Sequence, residues 1–338
     1  MRAHRSRLIT IATLLLVVTG LAAGLTVLLR TPGGAVEDAR RPAPKGAEQI
    51  DLAREVADYT SRFGPGRGYL PPGRADREDI AAAISLLLDG HRSQAEQRLS
   101  QRDFTVRTVF DRPSGRRYTE VADRTDSAVR PRGWGRIYLD LDHRPSWSVQ
   151  VPHPGFDLGT EQLGVRVLRG SPGGVLVIAG AHRKAGIGNA ADVAHREDTV
   201  FHAVCAELAR RGMPGIQLHG FAASAAPGYD VIASTGAGSA GRQDGRDLAD
   251  ALSGHGFRVC RAWARSCPLE GRTNVQGRAA DADHVPFLHV EFSPRGARGR
   301  AARRARGRRD RRDHGPLGEE PVTDWVRQGH GRTGLSLI

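Results

Sequence analysis

Four segments place side chains capable of metal binding or acid/base chemistry directly after, or at the end of, short apolar runs typical of strands. These are residues 152–161, residues 180–183, the pair His219-Gly220, and the end of the run 285–292, which contains His289 and Glu291. In an open α/β sheet, ligands collect at the carboxyl ends of the strands. We therefore expect these polar side chains to meet at one edge of a sheet.

The most specific chemistry in this set is that of a zinc site. His153 and Asp157 lie four residues apart on a turn rich in Pro and Gly, and His219 ends a further predicted strand. A catalytic zinc ion takes three protein ligands and keeps one open position, and imidazole and carboxylate are its usual ligands without sulfur. We predict that His153, Asp157 and His219 hold zinc. Zinc would lower the pKa of water toward 7, and we expect Glu291 to take the proton to the leaving group.

Three other residues are candidates for substrate binding. Arg183 and Arg196 could clamp a substrate carboxylate through paired hydrogen bonds. Asn274 could donate a hydrogen bond to a polarised carbonyl. The alternatives are that both arginines are solvated loop residues and that the amide of Asn274 orders its own loop.

The elements that position these residues follow from the apolar pattern of residues 147–294. Short apolar runs alternate there with helical patterns, as expected for strands that are buried on both faces. The predicted strands are 147–151, 174–179, 215–218, 230–234, 257–262 and 285–292, and the predicted helices are 198–211 and 244–253. The pattern predicts an α/β domain with a mixed, largely parallel sheet flanked by helices, and we assign the catalytic function to this segment.

Residues 51–146 have a less regular pattern. Apolar residues at helical spacing predict one amphipathic helix over 79–101, and three strand-like runs follow at 104–110, 117–121 and 135–141. These elements form either a small α+β lobe or additional strands of the main sheet.

The N-terminal residues predict export. After three arginines, residues 8–29 carry no charge, and about 22 apolar residues can cross a bilayer as a helix. We interpret residues 1–30 as a signal anchor or a cleaved signal peptide, and residues 31–50 as a linker. The protein would then be secreted, or held at the cell membrane with its body outside. Cys260 and Cys267 could pair in such a compartment, leaving Cys205 as a small buried residue.

The net charge of +13 does not predict nucleic-acid binding, because it is concentrated at the two ends. Residues 295–314 contain ten arginines against two aspartates, and the first seven residues contain three more arginines. The remainder is close to neutral, which argues against a groove for a phosphate backbone. Residues 295–338 are expected to be a disordered arginine-rich tail. One hypothesis is a frame-shifted ending, which resequencing that region of the gene would test.

Several motifs together resemble the zinc-dependent poly-γ-glutamate hydrolases, which are similar in fold to zinc carboxypeptidases and N-formylglutamate amidohydrolases. The matching segments lie within about residues 147–295 and read Pro152-His153-x-Gly155-x-Asp157-x-Gly159-Thr160-Glu161, Leu218-His219-Gly220, Leu269-Glu270-Gly271-x-x-Asn274-x-Gln276-Gly277-Arg278 and Leu288-His289-Val290-Glu291. The resemblance implies a zinc carboxypeptidase-like fold with zinc on His153, Asp157 and His219. It also implies that Glu291 is the general base.

The chain departs from this family at one ligand. Asp157 stands where the family has Glu, and the first spacing is one residue shorter, so Glu161 is an alternative ligand. The expected substrate is a peptide-like or γ-glutamyl amide outside the cytoplasm. The alternative function is an exported binding protein that keeps the hydrolase fold without catalysis.

Overall fold

The computed structural model describes residues 46–66, 68–127 and 131–297. Apart from the turn at residues 113–115, these residues belong to one compact unit. The predicted anchor or signal segment, most of the predicted linker and nearly all of the arginine-rich tail lie outside the described residues. Within the described ranges, no helix is both long enough and apolar enough to cross a membrane.

One mixed sheet of ten strands organises the fold. The strands are β1 (Glu48–Ile50), β2 (Phe104–Asp111), β3 (Arg116–Asp123), β4 (Arg136–Asp140), β5 (Trp147–Val151), β6 (Gly174–Ile178), β7 (Gly215–Gly220), β8 (Val231–Ser234), β9 (Val259–Arg261) and β10 (Phe287–Phe292). Their order across the sheet is β1-β2-β3-β4-β6-β5-β7-β10-β8-β9. Strands β1 to β4 therefore extend the same sheet, and β1 uses residues that we expected in the linker.

Four central strands, β6, β5, β7 and β10, run parallel to one another. Each is buried along nearly its whole length, which explains the continuous apolar runs in their sequences. Because these strands are parallel, their carboxyl ends lie at one edge of the sheet, where side chains from separate segments of the chain can meet.

Helices cover both faces of the sheet. They are α1 (Leu52–Thr60), α2 (Arg74–Leu88), α3 (Arg92–Ser100), α4 (Thr160–Gly170), α5 (Val200–Arg210), α6 (Arg242–Gly254), α7 (Val275–Ala282) and α8 (Pro294–Ala297). One core joins α1, α4 and α6 to strand residues such as Leu176 and Ile178. A second core joins α2, α3 and α5 to Val175 and Val177, because successive residues of a strand face opposite sides.

The prediction of a single helix over residues 79–101 was wrong. The chain forms α2 and α3 instead, and the break falls at Gly90, whose φ of 81° is left-handed. Residues with a Cβ rarely adopt that conformation, and glycine commonly ends a helix in this way. His91 then serves as the N-cap of α3, so both helices keep their apolar faces on the second core.

Cys260 and Cys267 form a disulfide, and Cys205 is a buried free cysteine of α5. The disulfide packs in a small cluster with Phe221 and Ile232.

We predict that Cys260→Ala combined with Cys267→Ala lowers the free energy of unfolding by roughly 2–3 kcal/mol, because a short loop of the unfolded chain loses its constraint. Urea unfolding under oxidising conditions measures this difference. Under reducing conditions the difference should largely vanish, and a difference that persists there would assign it to side-chain packing.

Candidate metal centre

The loop after β5 presents the first two predicted ligands. His153 and Asp157 occupy one turn, in which the Asp157 amide donates to the His153 carbonyl at 2.9 Å. Gly155 has a φ of 75° within this turn, a conformation that favours glycine. His153 and Asp157 are 1% and 3% exposed, so the turn folds both polar side chains inward.

The third predicted ligand arrives from the neighbouring strand. His219 is the penultimate residue of β7, which pairs in parallel with β5. Gly220 allows the close approach of this strand end to the loop, because a Cβ on Gly220 would lie 3.3 Å from backbone and side-chain atoms of Asp157. His219 is 4% exposed and faces the same carboxylate as His153.

The distances among these three side chains fit a transition metal. Oδ2 of Asp157 lies 3.2 Å from Nδ1 of His153 and 3.1 Å from Nδ1 of His219. Ligand atoms on a tetrahedral zinc ion with bonds near 2 Å are about 3.3 Å apart. One ligand atom from each residue lies within 4.8 Å of the others. The three residues therefore fit zinc with little rearrangement.

The second ring nitrogen of His153 is held by a carboxylate. Nε2 lies 2.8 Å from Oδ1 of Asp192, which also lies 3.1 Å from Nδ1 of His195. The other oxygen of Asp192 accepts from Arg183 at 2.7 Å. Burial by itself would lower the pKa of His153, but the hydrogen bonds to Asp157 and Asp192 outweigh it and raise that pKa. A carboxylate on the second nitrogen of a metal-binding histidine fixes its orientation and increases its basicity.

The second ring nitrogen of His219 is held by an amide. Nε2 of His219 lies 2.8 Å from Oε1 of Gln217, a fully buried side chain two residues earlier on β7. The same oxygen accepts from the Asn274 amide. Nε2 of Gln217 donates to Gln150 at 3.1 Å and to Gln276 at 3.2 Å. All four hydrogen-bonding positions of the Gln217 amide are used.

Two backbone groups fix the direction of this amide network. Oδ1 of Asn274 accepts from the Gly277 amide, so its NH2 must point toward Gln217. At the other end, Gln276 donates to the Val193 carbonyl at 2.8 Å, so its oxygen must point toward Gln217. A donor on one side and an acceptor on the other fix the orientation of the Gln217 amide, with its Oε1 beside His219. An amide oxygen can only accept a hydrogen bond. Nε2 of His219 therefore carries the ring proton.

In this tautomer Nδ1 of His219 carries no proton, and its lone pair is directed at the carboxylate of Asp157. Burial lowers the pKa of His219 to about 4, so the ring is neutral near pH 7. A neutral nitrogen lone pair and a carboxylate oxygen 3.1 Å apart both accept hydrogen bonds, and neither donates. A cation between them satisfies both groups.

Glu291 and His289 lie beside this centre on β10. Glu291 pairs in register with His219, and its Oε1 lies 4.0 Å from Nε2 of His289. Burial, together with the nearby charge of Asp157, raises the pKa of Glu291 to about 8. The rings of His219 and His289 stack with their centroids 4.4 Å apart. A buried carboxyl with a raised pKa beside metal ligands is suited to holding and releasing a proton.

The remaining predicted residues lie in different surroundings. Glu161 lies in the first turn of α4, outside both groups of potential metal ligands found in the described residues. Arg183 is tied to Asp192 and lies over the Phe156 ring, with 5.1 Å between its guanidinium carbon and the ring centroid. Arg196 forms an ion pair with Asp198 at 2.5 Å. Asn274 is the N-cap of α7, and its amide serves the Gln217 network.

Sequence reasoning missed Asp192 and Gln217. Gln217 carried one signal, since it lies two residues before His219 and must share a strand face with it. Asp192 lies in a loop 39 residues after His153, and only the folded chain brings the two side chains together.

Gln217 provides the first test of the network. We predict that Gln217→Leu weakens zinc binding by about 10–100-fold, the range seen when the partner of a metal-binding histidine is removed. Zinc competition with a chromophoric chelator measures this change. Gln217→Glu is the matched control, because its carboxylate still accepts from His219 and should keep more of the affinity than Gln217→Leu. Equal losses in the two variants would contradict the role of the amide oxygen.

Comparisons with known proteins give a fold likeness at low similarity. The chain matches no protein-family model and no curated protein. A bacteriophage poly-γ-glutamate hydrolase is 17% identical, with a TM-score of 0.30 over 48% of this chain and 72% of its own. An N-formylglutamate amidohydrolase from Ralstonia eutropha is 14% identical, with a TM-score of 0.32 over 45% and 82%. A metallo-carboxypeptidase from Pseudomonas aeruginosa is 14% identical, with a TM-score of 0.34 over 69% and 66%. At these values no activity transfers to this chain.

Proposed function

We propose that this chain is a zinc-dependent hydrolase of amide bonds. The observation that carries the proposal is the pair of facing acceptors at the centre: Nδ1 of His219 and Oδ2 of Asp157, with Nδ1 of His153 on the same oxygen. Two imidazoles and one carboxylate are the ligand set of many catalytic zinc sites, in which a fourth position stays open. When bound, zinc supplies Lewis-acid catalysis and lowers the pKa of water toward 7.

The roles of the protein side chains follow from their contacts. His153, Asp157 and His219 would hold the metal, while Asp192 and Gln217 orient the two histidines. Zinc would replace the proton on Nδ1 of His153. Nε2 of His153 would keep its proton and donate it in a hydrogen bond to Asp192.

Glu291 would handle the proton of the reaction. The residue is buried, and its carboxyl group can take a proton at Oε1 or Oε2 and give it to the leaving amine. Its pKa of about 8 would fall when a dication binds nearby, because a positive charge favours the ionised form. The ionised form is the one that can accept a proton.

The substrate class proposed here is a peptide-like or γ-glutamyl amide. Arg183, which lies between Asp192 and the Phe156 ring, offers positive charge beside the centre. Arg196 and Asn274 are the other two proposed substrate contacts, and in this structure Asp198 engages Arg196 and Gln217 engages Asn274. We further propose that the protein acts outside the cytoplasm, secreted or anchored by residues 1–30. The disulfide is in keeping with an oxidising compartment.

The test measures hydrolysis by the full-length chain on a panel of α-peptide and γ-glutamyl amides. We expect turnover of at least one amide, loss of turnover after chelation, and recovery on addition of zinc. Zinc binding at the centre without turnover of any amide would favour the alternative, a binding protein that keeps the fold without catalysis.

A further inference from the structure

His219, His289 and Glu291 form a second group of potential metal ligands beside the first. One ligand atom from each of the three lies within 4.8 Å of the others, and all three side chains are buried. His289 and Glu291 are two residues apart on β10 and so share one face of the strand. The parallel pairing of β10 with β7 brings Glu291 level with His219.

His289 is the member of this group that the proposed reaction does not use. Its side chain is buried, and its Nδ1 has no hydrogen-bond partner among the described residues. Its Nε2 lies 4.0 Å from Oε1 of Glu291, beyond hydrogen-bond distance. A buried polar atom without a partner destabilises the fold, so this unpaired nitrogen points to a partner other than the described residues.

Two neighbours, His219 and Gly271, pack against the ring of His289. The His219 ring stacks on one side, with an angle of 28° between the two planes. Gly271 lies against the ring as well, since a Cβ there would come within 2.3 Å of Cδ2 of His289. Gly271 has a φ of 68°, so both its conformation and the ring exclude larger residues. The packing fixes a polar ring at a place where no hydrogen bond reaches it from the described residues.

We propose that His219, His289 and Glu291 form a second binding position for a divalent transition metal, which overlaps the first position at His219. Two imidazoles and a carboxylate suit zinc, cobalt or a similar ion. The Nε2 atom of His219 is engaged by Gln217, so its Nδ1 alone is available to a metal. One nitrogen lone pair binds one cation, so the two positions are alternatives and are not filled together.

The second position differs from the first in its consequence for Glu291. A cation there engages the carboxylate that the proposed function uses as a base. The same ion therefore leaves Glu291 free in one position and occupied in the other. Binding at the second position does not itself depend on hydrolysis.

The test is a cobalt(II) titration of the full-length chain, purified without a polyhistidine tag. His153→Gln combined with Asp157→Asn removes two ligands of the first position and none of the second. We expect this double variant to bind one cobalt ion per chain, and His289→Gln in that background to lower the remaining affinity by more than about 10-fold. His255→Gln, which lies outside both groups, is the control and should leave the affinity unchanged. No binding by the folded double variant, or an unchanged affinity with His289→Gln, would overturn the proposal.

If circular dichroism shows that the double variant does not fold, Asp157→Asn alone gives the same comparison, because it keeps the side-chain volume. We expect His289→Gln to weaken cobalt binding more in the Asp157→Asn background than in the wild type. Equal effects in the two backgrounds would overturn the second position. Neither readout measures hydrolysis, so an inactive chain that binds cobalt in this pattern would contradict only the proposed function.

Discussion

His219→Ala is expected to lower the zinc affinity of the chain by more than about 100-fold, beyond the range for residues that only orient a ligand. His219 belongs to both groups of potential ligands, so its removal leaves neither group with three. It also frees Oε1 of Gln217, which then accepts only from Asn274. Competition with a chromophoric chelator measures the affinity.

The control for this variant is His255→Ala, a histidine outside both groups. It should bind zinc as the wild type does. Thermal unfolding without metal separates loss of the ligand from loss of the fold. A folded His219→Ala protein with wild-type affinity for zinc would rule out the centre described here.

Glu291→Gln is expected to lower amide hydrolysis by roughly 10²–10⁴-fold, the usual contribution of a positioned acid or base. The amide of glutamine has nearly the same shape as the carboxylic acid but cannot accept and return a proton at neutral pH. Zinc at the first position should be retained, because Glu291 is not among its ligands. Steady-state kinetics and zinc content measured on the same sample test both expectations. Loss of zinc together with activity would show instead that Glu291 supports the metal.

Without metal, the difference in stability between Glu291→Gln and the wild type is expected to depend on pH. Burial raises the pKa of Glu291 to about 8 in the folded state. The fold therefore favours the protonated carboxyl group. This contribution to stability is fully present below the pKa of Glu291 in the unfolded chain and is lost as the pH rises through 8. Glu291→Gln removes this ionisation. Relative to the wild type, the variant should therefore gain stability between about pH 5 and pH 9. Urea unfolding at both pH values measures this gain, and a constant difference would contradict the pKa shift. Glu207→Gln, which removes an ion pair with Arg210 near the surface, is the matched control.

The central strands could be predicted from the sequence because burial on both faces leaves an apolar run that few other structures require. The run at residues 147–151 became β5 with the same limits. Two helices within residues 147–294, α4 and α7, were not predicted. The start of α4 coincides with Thr160 and Glu161, which we assigned to a motif and, for Glu161, to an alternative ligand role, and α7 is eight residues long. The eight residues of α7 carry weak periodicity, whereas Leu163 and Val167 of α4 lie at a helical spacing that the prediction did not use.

The central part of the candidate site could be predicted from the positions of the strand ends, together with the family resemblance. Side chains that end parallel strands share one sheet edge, and this brought His219 to His153 and Asp157. The role of Asn274 could not be inferred in the same way. Its side chain caps α7 and orients Gln217, and both contacts depend on a helix that the sequence did not reveal. The orienting partners depend on tertiary packing, which a local pattern does not encode.

The most direct test of the metal centre is an anomalous difference map at the zinc absorption edge, from crystals of the chain grown with one equivalent of zinc. The centre predicts one strong peak within about 2 Å of Nδ1 of His153, Nδ1 of His219 and a carboxylate oxygen of Asp157. Nε2 of each histidine should stay on Asp192 or Gln217. A peak bound through Glu161 or at the surface, or no peak at these residues, would contradict the centre.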